Sequence, residues 1–354
     1  MAQAKAGFLS RHKGSRILLI VVIVIIVLAA VAYLAIATHP QIIVGMIQKK
    51  LFQEGASINS YEPKNEPGET LKANGILYVN DIQYGTEYEN SYLDINYPDG
   101  VKSADKPTIV FFHGGGFFCG DKVMGDPLAT SDDSNCFLDS LCMEGYNLVN
   151  VNYALVPDRH FPIPLIQVNQ AMAYLTEHAE ELNLDMEHVI IAGSSAGAIL
   201  TAQYGAVLTN PEYAELNGIT PAISPNHIAA LVIDDAPLEY DHLGFSAKML
   251  VGNYIKGSTF VSKELRQKYN PIPYATSDYP VTFLAGSNYK GDGYAYDMEE
   301  LSDQLESMGV THEFYYQKKD DGTESKHGFI ADMKNDPNGE KCYHAIVEFL
   351  AQLF

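Results

Sequence analysis

Residue 195 is a serine enclosed by glycines, in the run Gly193-Ser194-Ser195-Ala196-Gly197. The apolar residues before it, Val189-Ile190-Ile191-Ala192, read as a short buried strand, and a helix opens near Ala196. A strand that turns straight into a helix leaves no room for side chains inside the bend, which accounts for glycine at 193 and 197. The turn brings the serine hydroxyl to a helix N-terminus, where unpaired N–H groups and the helix dipole favour developing negative charge. That is the setting of a nucleophile. The pattern G-x-S-x-G also arises as a small-residue helix start chosen for packing, so it needs a second signal.

The second signal is His113-Gly114-Gly115-Gly116-Phe117, where the apolar run 108–112 ends. Three consecutive glycines cost backbone entropy, and a plain turn does not call for them. They suit a loop whose N–H groups must approach a ligand closely, as the donors of an oxyanion hole do. The two motifs lie about eighty residues apart in one alternating strand–helix pattern.

With HGGGFFCGDK (113–122), NVNYALVPDRHFP (150–162), GSSAG (193–197) and KHGF (326–329), the chain resembles an α/β-hydrolase of the hormone-sensitive-lipase-like or acetyl-esterase type. The resemblance covers about residues 75–354. It implies Ser195 as nucleophile, His327 as general base, and the N–H groups of Gly115, Gly116 and Ala196 as oxyanion hole. His327 also stands on its own position, in a polar loop ahead of the last helix, as the order serine, acid, histidine requires. Among the eleven histidines, His113 reads as shaping the glycine loop, His160 as structural and His344 as a packing or surface residue.

The acid is harder to place. The family pattern G-x-x-D after the strand ending at Gly286 would put it at residue 289, which is Tyr289. Asp292, flanked by Gly291 and Gly293, is the expected acid, because those glycines let the loop bulge toward the histidine. Asp297 is a fallback that reads more simply as a helix N-cap before Met298. Asp234 and Asp235, after the strand ending at Ile233, also satisfy the chain order, and Asn288 could hold the imidazole in the acid's place. Two further departures are structural. The family's Y-R-L-A-P-E stands as Tyr153-Ala154-Leu155-Val156-Pro157-Asp158, and the aspartate of the following helix stands as Asn169.

The elements that carry these residues follow from periodicity. Residues 76–83 and 91–97 alternate as paired strands. Residues 108–112, 147–153, 228–233, 281–285 and 312–317, with the run at Val189, are apolar enough to be buried on both faces. Helical patterns fall at 136–144, 165–182, 297–308 and 340–353. Strands alternating with helices predict an α/β-hydrolase fold, a mostly parallel sheet with helices on both faces. The catalytic domain is expected over 74–354, with 210–279 as a partial lid.

At the N-terminus, residues 17–37 hold no charge and would make a helix about 31 Å long, enough to cross a bilayer. The basic segment 1–16 carries Lys5, Arg11, Lys13 and Arg16, which places it in the cytoplasm and the catalytic domain outside. An apolar run this long favours an uncleaved signal-anchor over a cleaved signal, although Ala35-Ile36-Ala37 offers a cleavage site and cleavage would make the protein secreted. Residues 38–73 read as a juxtamembrane amphipathic helix followed by a linker over 53–73.

Beyond residue 38 the chain holds 19 basic and 44 acidic residues, a formal charge of −25, which argues against nucleic acid as a partner. Four cysteines make no disulfide framework, and Cys136 with Cys142 could bridge or remain free. No sequence pattern for a metal or nucleotide cofactor is present. The resulting expectation is a membrane-anchored serine carboxylesterase for short acyl esters, acetyl among them, acting on a small-molecule ester. A lipase or amidase with the same triad is one alternative, against which the polar and acidic residues of 210–279 weigh for long acyl chains. A non-catalytic binding or adhesion module on the same fold is the other.

Overall fold

The computed structural model describes residues 2–51, 67–123, 136–287, 294–316 and 325–354. Nine strands form one sheet among the described residues: β1 (Gly68–Leu71), β2 (Leu77–Gln83), β3 (Tyr92–Tyr97), β4 (Pro107–Phe112), β5 (Asn147–Val151), β6 (Asp185–Ser194), β7 (Ile228–Asp234), β8 (Thr282–Gly286) and β9 (His312–Tyr316). Their order is β1-β2-β3-β5-β4-β6-β7-β8-β9. The six strands from β5 to β9 run parallel, while β1, β2 and β3 add an antiparallel edge.

The helices are α1 (Ala2–Thr38), α2 (Gln41–Leu51), α3 (Cys136–Met143), α4 (Ile163–Glu177), α5 (Ala179–Leu182), α6 (Ala196–Thr209), α7 (Pro211–Asn217), α8 (Phe245–Lys256), α9 (Lys263–Tyr269), α10 (Tyr294–Met308) and α11 (Pro337–Ala351). Alternation along β4 shows why the sheet is covered twice. Val110 and Phe112 pack into the core shared with α4, α6 and α8, whereas Ile109 and Phe111 pack into a second core with α3 and α11. The fold is the α/β-hydrolase fold.

Two differences from the sequence reading have local causes. The stretch 53–73 contributes β1, paired with β2 from Gly68↔Asn80 to Leu71↔Leu77. Every residue of that edge strand is exposed, so it leaves no apolar period to read. Within 210–279, residues 228–234 form β7 as the apolar run at 228–233 predicts, and α8 and α9 follow it. The helical pattern over 165–182 divides at His178 into α4 and α5.

Within α1, the segment Ile17–Thr38 is long and apolar enough to cross a membrane, and its side chains up to Leu34 are exposed. The chain turns at Pro40 into α2, which docks on the domain: Val44 and Gln48 are buried, whereas Ile42, Met46 and Ile47 face outward. All four cysteines are free thiols.

Candidate active site

The parallel strands end on one side of the sheet, and their following loops converge there. At the end of β6, Ser195 adopts φ +53° and ψ −112°, an uncommon conformation for a residue with a side chain. It is held by Ser195 N–H donating to Asp234 O (2.8 Å) and by the first turn of α6. That turn is pressed against β4: a Cβ on Gly197 would overlap the carbonyl oxygen of Phe112. The glycine of the motif is therefore a condition for bringing the end of β6 beside the end of β4.

After β7, Asp235 also has positive φ (+59°) and is wholly buried. Its N–H donates to Ala285 O (2.9 Å), and one carboxylate oxygen accepts the N–H of Ser287 (3.1 Å). The other oxygen lies 2.6 Å from His327 Nδ1. Burial alone would raise the Asp235 carboxyl; the facing His327 and the Ser287 N–H outweigh it and hold the group below its ordinary range. A carboxylate only accepts, so His327 Nδ1 carries the proton. His327 Nε2 then accepts from the Ser195 hydroxyl at 2.8 Å. One imidazole thus connects a serine and a buried carboxylate, a geometry that can draw the serine proton toward the ring.

The loop 113–120 approaches from β4. Gly115 and Gly116 have φ of +108° and +58°, and Phe117 has +62°. Phe118 N–H and Cys119 N–H both donate to Gly115 O, closing the loop on itself. Among the described residues, the N–H groups of Gly115, Gly116 and Ala196 donate no hydrogen bond. The loop is braced from outside. His113 stacks on Tyr153 at 4.4 Å, and the Tyr153 hydroxyl donates to His113 O (2.6 Å). Phe117 lies flat on Tyr254 of α8, 3.4 Å between centroids. Gln48 of α2 donates from its amide nitrogen to both Phe118 O and Val156 O, each at 2.9 Å. At the end of the motif, buried Lys122 reaches Asp81 (2.8 Å) and Asp94 (3.0 Å).

The acid expected at Asp292 lies outside the described residues, as does Asn288, and the carboxylate against His327 is Asp235. Asp234 is engaged otherwise, accepting from the Ser194 hydroxyl (2.7 Å). Asp297 is neither the acid beside His327 nor an N-cap. It sits inside α10 with its carboxylate accepting from Leu238 N–H, Glu239 N–H and His242. His160 is structural, its Nδ1 facing Asn253 O at 2.8 Å, and His344 is an exposed helix residue. Asn169 accepts from the Tyr204 hydroxyl and Ala222 N–H, tying α4 to α6. Gln48 and Lys122 carried no signal of their own, since their partners come from strands and loops far away in the chain.

For metals, His242, Asp297 and Glu300 are the one group among the described residues whose ligand atoms gather within 4.8 Å. Asp297 there is already committed to the two backbone N–H groups and His242.

The BD-FAE family matches residues 93–290, more than half of the chain. The chain belongs to the BD-FAE family. The matched segment includes the glycine loop, Ser195 and Asp235, and His327 follows it. Lipase 2 of Moraxella sp. (strain TA144) is 32% identical over 111 residues, 31% of this chain and 24% of that protein. An acetyl esterase of Salmonella typhi is 31% identical over 93 residues, 26% of each. The chain therefore aligns with only about a quarter of these relatives' lengths. Among solved structures, esterase B from Lactobacillus rhamnosis superimposes with a TM-score of 0.64 at 18% identity, covering 81% of this chain and 88% of that one. At that identity the likeness is one of fold.

Proposed function

We propose that this BD-FAE family member is a serine carboxylesterase for short acyl esters, acetyl esters among them. The observation that carries the reading is the His327 ring, 2.8 Å from the Ser195 hydroxyl and 2.6 Å from the buried Asp235 carboxylate. His327 takes the proton as Ser195 attacks the ester carbonyl. Asp235 keeps the ring in the tautomer that can accept it and stabilises the imidazolium that forms. The N–H groups of Gly115, Gly116 and Ala196 receive the tetrahedral oxyanion. His327 then returns the proton to the leaving alcohol, and water, activated by the same ring, hydrolyses the acyl-enzyme.

The short-acyl reading draws on the acetyl esterase among the relatives. Phe118 and Leu250 stand beside the oxyanion loop, 3.0 and 3.7 Å from where a Cβ on Gly116 would sit. The segment Ile17–Thr38 serves in this reading as an uncleaved anchor, with the catalytic domain outside the cytoplasm.

Hydrolysis of p-nitrophenyl acetate, butyrate and palmitate by the full chain in detergent, beside Ser195→Ala, tests the proposal. Turnover of the shorter esters that vanishes in the variant supports it. Folded protein with no turnover on any chain length would sink it.

A further inference from the structure

The anchor helix does not leave the catalytic domain at a distance. Thr259 donates to Ala37 O through both its N–H (2.9 Å) and its hydroxyl (2.8 Å). Tyr33, one turn deeper in the apolar segment, stacks on Phe245 at the start of α8 with 5.1 Å between ring centroids. Tyr33 precedes Thr38 by five residues, which on a helix is about 7.5 Å. With Ile17–Thr38 read as the membrane span, its ring partner Phe245 falls at the depth where headgroups meet acyl chains. On the other side of the junction, Asn253 of α8 donates to Gln41 of α2 (2.7 Å), so α1, α2 and α8 form one packed corner.

The outward face of that corner has the chemistry of a membrane-contacting surface. Ile42, Met46, Phe245 and Phe260 are all exposed there. The chain has 44 acidic residues, yet residues 1–53 and 242–263 contain none. The only charges on α2 and α8 are basic: Lys49, Lys50, Lys248 and Lys256. Carboxylates are thus kept from the two stretches that touch the anchor, while apolar side chains and ammonium groups, which suit acyl chains and anionic headgroups, are kept on them.

We propose that the α2–α8 face is seated on the bilayer, in the leaflet from which α1 emerges, with Phe245 and Phe260 inserted at the headgroup–acyl boundary. This rests on α1 being a retained anchor. It gives the candidate site a fixed height above the lipid, because α8 carries both Phe245 on the membrane and Leu250 beside Gly116.

The chain contains no tryptophan, so one introduced indole reports its own depth. The full-length variants Ile25→Trp, Phe245→Trp, Phe260→Trp and Phe354→Trp would be reconstituted in phosphatidylcholine vesicles with a minority of phosphatidylglycerol. Emission is then compared with and without acyl-chain-brominated phosphatidylcholine. The expected result is loss of emission for the probes at 25, 245 and 260, and none at 354, which lies near His188 and Tyr146. Loss at 25 with emission kept at both 245 and 260 overturns the seating. Equal loss at 354 overturns it as well. Emission kept at 25 overturns the anchor on which the inference rests. Ester turnover is not read, so failure of the esterase reading leaves these outcomes unchanged and is distinguished from failure of the seating.

Discussion

Asp235 and His327 are 92 residues apart in the chain and meet at 2.6 Å. The meeting follows from the sheet. β7 and β8 are parallel neighbours, so the residue after β7 lies beside Ser287 after β8, and the Ser287 N–H fixes the carboxylate that faces the ring. In the proposed mechanism an asparagine at 235 could present its amide N–H to the ring, favouring the tautomer with the proton on Nε2. Asp235→Asn should then lower kcat by about 10⁴-fold, the scale of a wrong tautomer in a serine triad. Asp292→Asn should keep activity close to that of the unaltered chain. Steady-state ester hydrolysis by the two variants separates the assignments, and the reverse ranking would return the acid to Asp292.

The same contact has a consequence for stability. The folded Asp235 carboxyl is held below its ordinary value, so the unfolded chain takes up a proton at a higher pH than the folded one. Its stabilising contribution is fully present above the ordinary carboxylate value of about 4 and is lost as pH falls through the depressed one. Asp235→Asn should remove that part of the acid limb. Urea unfolding from pH 5 down to pH 3 checks it: the variant's midpoint should fall less steeply with acidification.

Ser195, His327 and the glycine loop were legible because each is a short-range pattern. A sharp turn demands its own glycines, and a polar loop before a last helix announces its histidine. In sequence Asp235 is one of several acids, since Asp235 and Asp292 both follow apolar strands and both satisfy the chain order. What brings Asp235 to the ring is the backbone after β7, fixed by the Ala285 carbonyl and the Ser287 N–H of the neighbouring strand, a tertiary contact rather than local sequence. Edge strand β1 is illegible for the opposite reason, having no buried face to print a period. The docking of α2 on the glycine loop depends on two carbonyl groups, and carbonyls leave no trace in residue identity.

The glycines of the two motifs should fail differently. A Cβ at Gly197 would overlap the Phe112 carbonyl, a backbone atom in the central sheet that cannot move aside cheaply. Gly197→Ala should therefore reduce soluble folded protein. At Gly116 the added methyl meets the Phe118 ring at 3.0 Å, and the φ of +58° disfavours a side chain. The loop can relieve this by rotating its N–H away. Gly116→Ala should fold and lose up to about 10²–10³ in kcat, the scale of one oxyanion donor. Thermal unfolding beside turnover distinguishes the two.

Lys122, the last residue of the glycine motif, is a buried cation between two buried carboxylates, with the Tyr78 hydroxyl also donating to Asp94 (2.6 Å). Removing the ammonium leaves Asp81 and Asp94 without their shared counter-charge. Lys122→Met, similar in volume, should destabilise the domain by about 3–5 kcal/mol, the usual scale for breaking one partner out of a buried ion group. Chemical denaturation measures this. A loss under about 1 kcal/mol would mean that the carboxylates are solvated or protonated in the fold.

Gln48 links the anchor-proximal helix to the glycine loop. Its amide uses both N–H groups on Phe118 O and Val156 O, and its oxygen accepts from the Gln41 amide (2.8 Å). Phe118 lies two residues past Gly116, so the peptide planes of the loop are held from α2. Gln48→Glu keeps the shape and removes both donors, setting a carboxylate against two carbonyl oxygens. Leaving buried acceptors unpaired costs about 1–3 kcal/mol each, part of which the loop can escape by turning its peptides. A loss of 1.4 kcal/mol of transition-state stabilisation is tenfold in rate. The expected outcome is a kcat lowered by about tenfold or more with KM nearly unchanged, since the oxyanion exists only after attack. A purely structural role for Gln48 would instead lower the fraction of active protein and leave kcat per active site, titrated with a phosphonate, where it was.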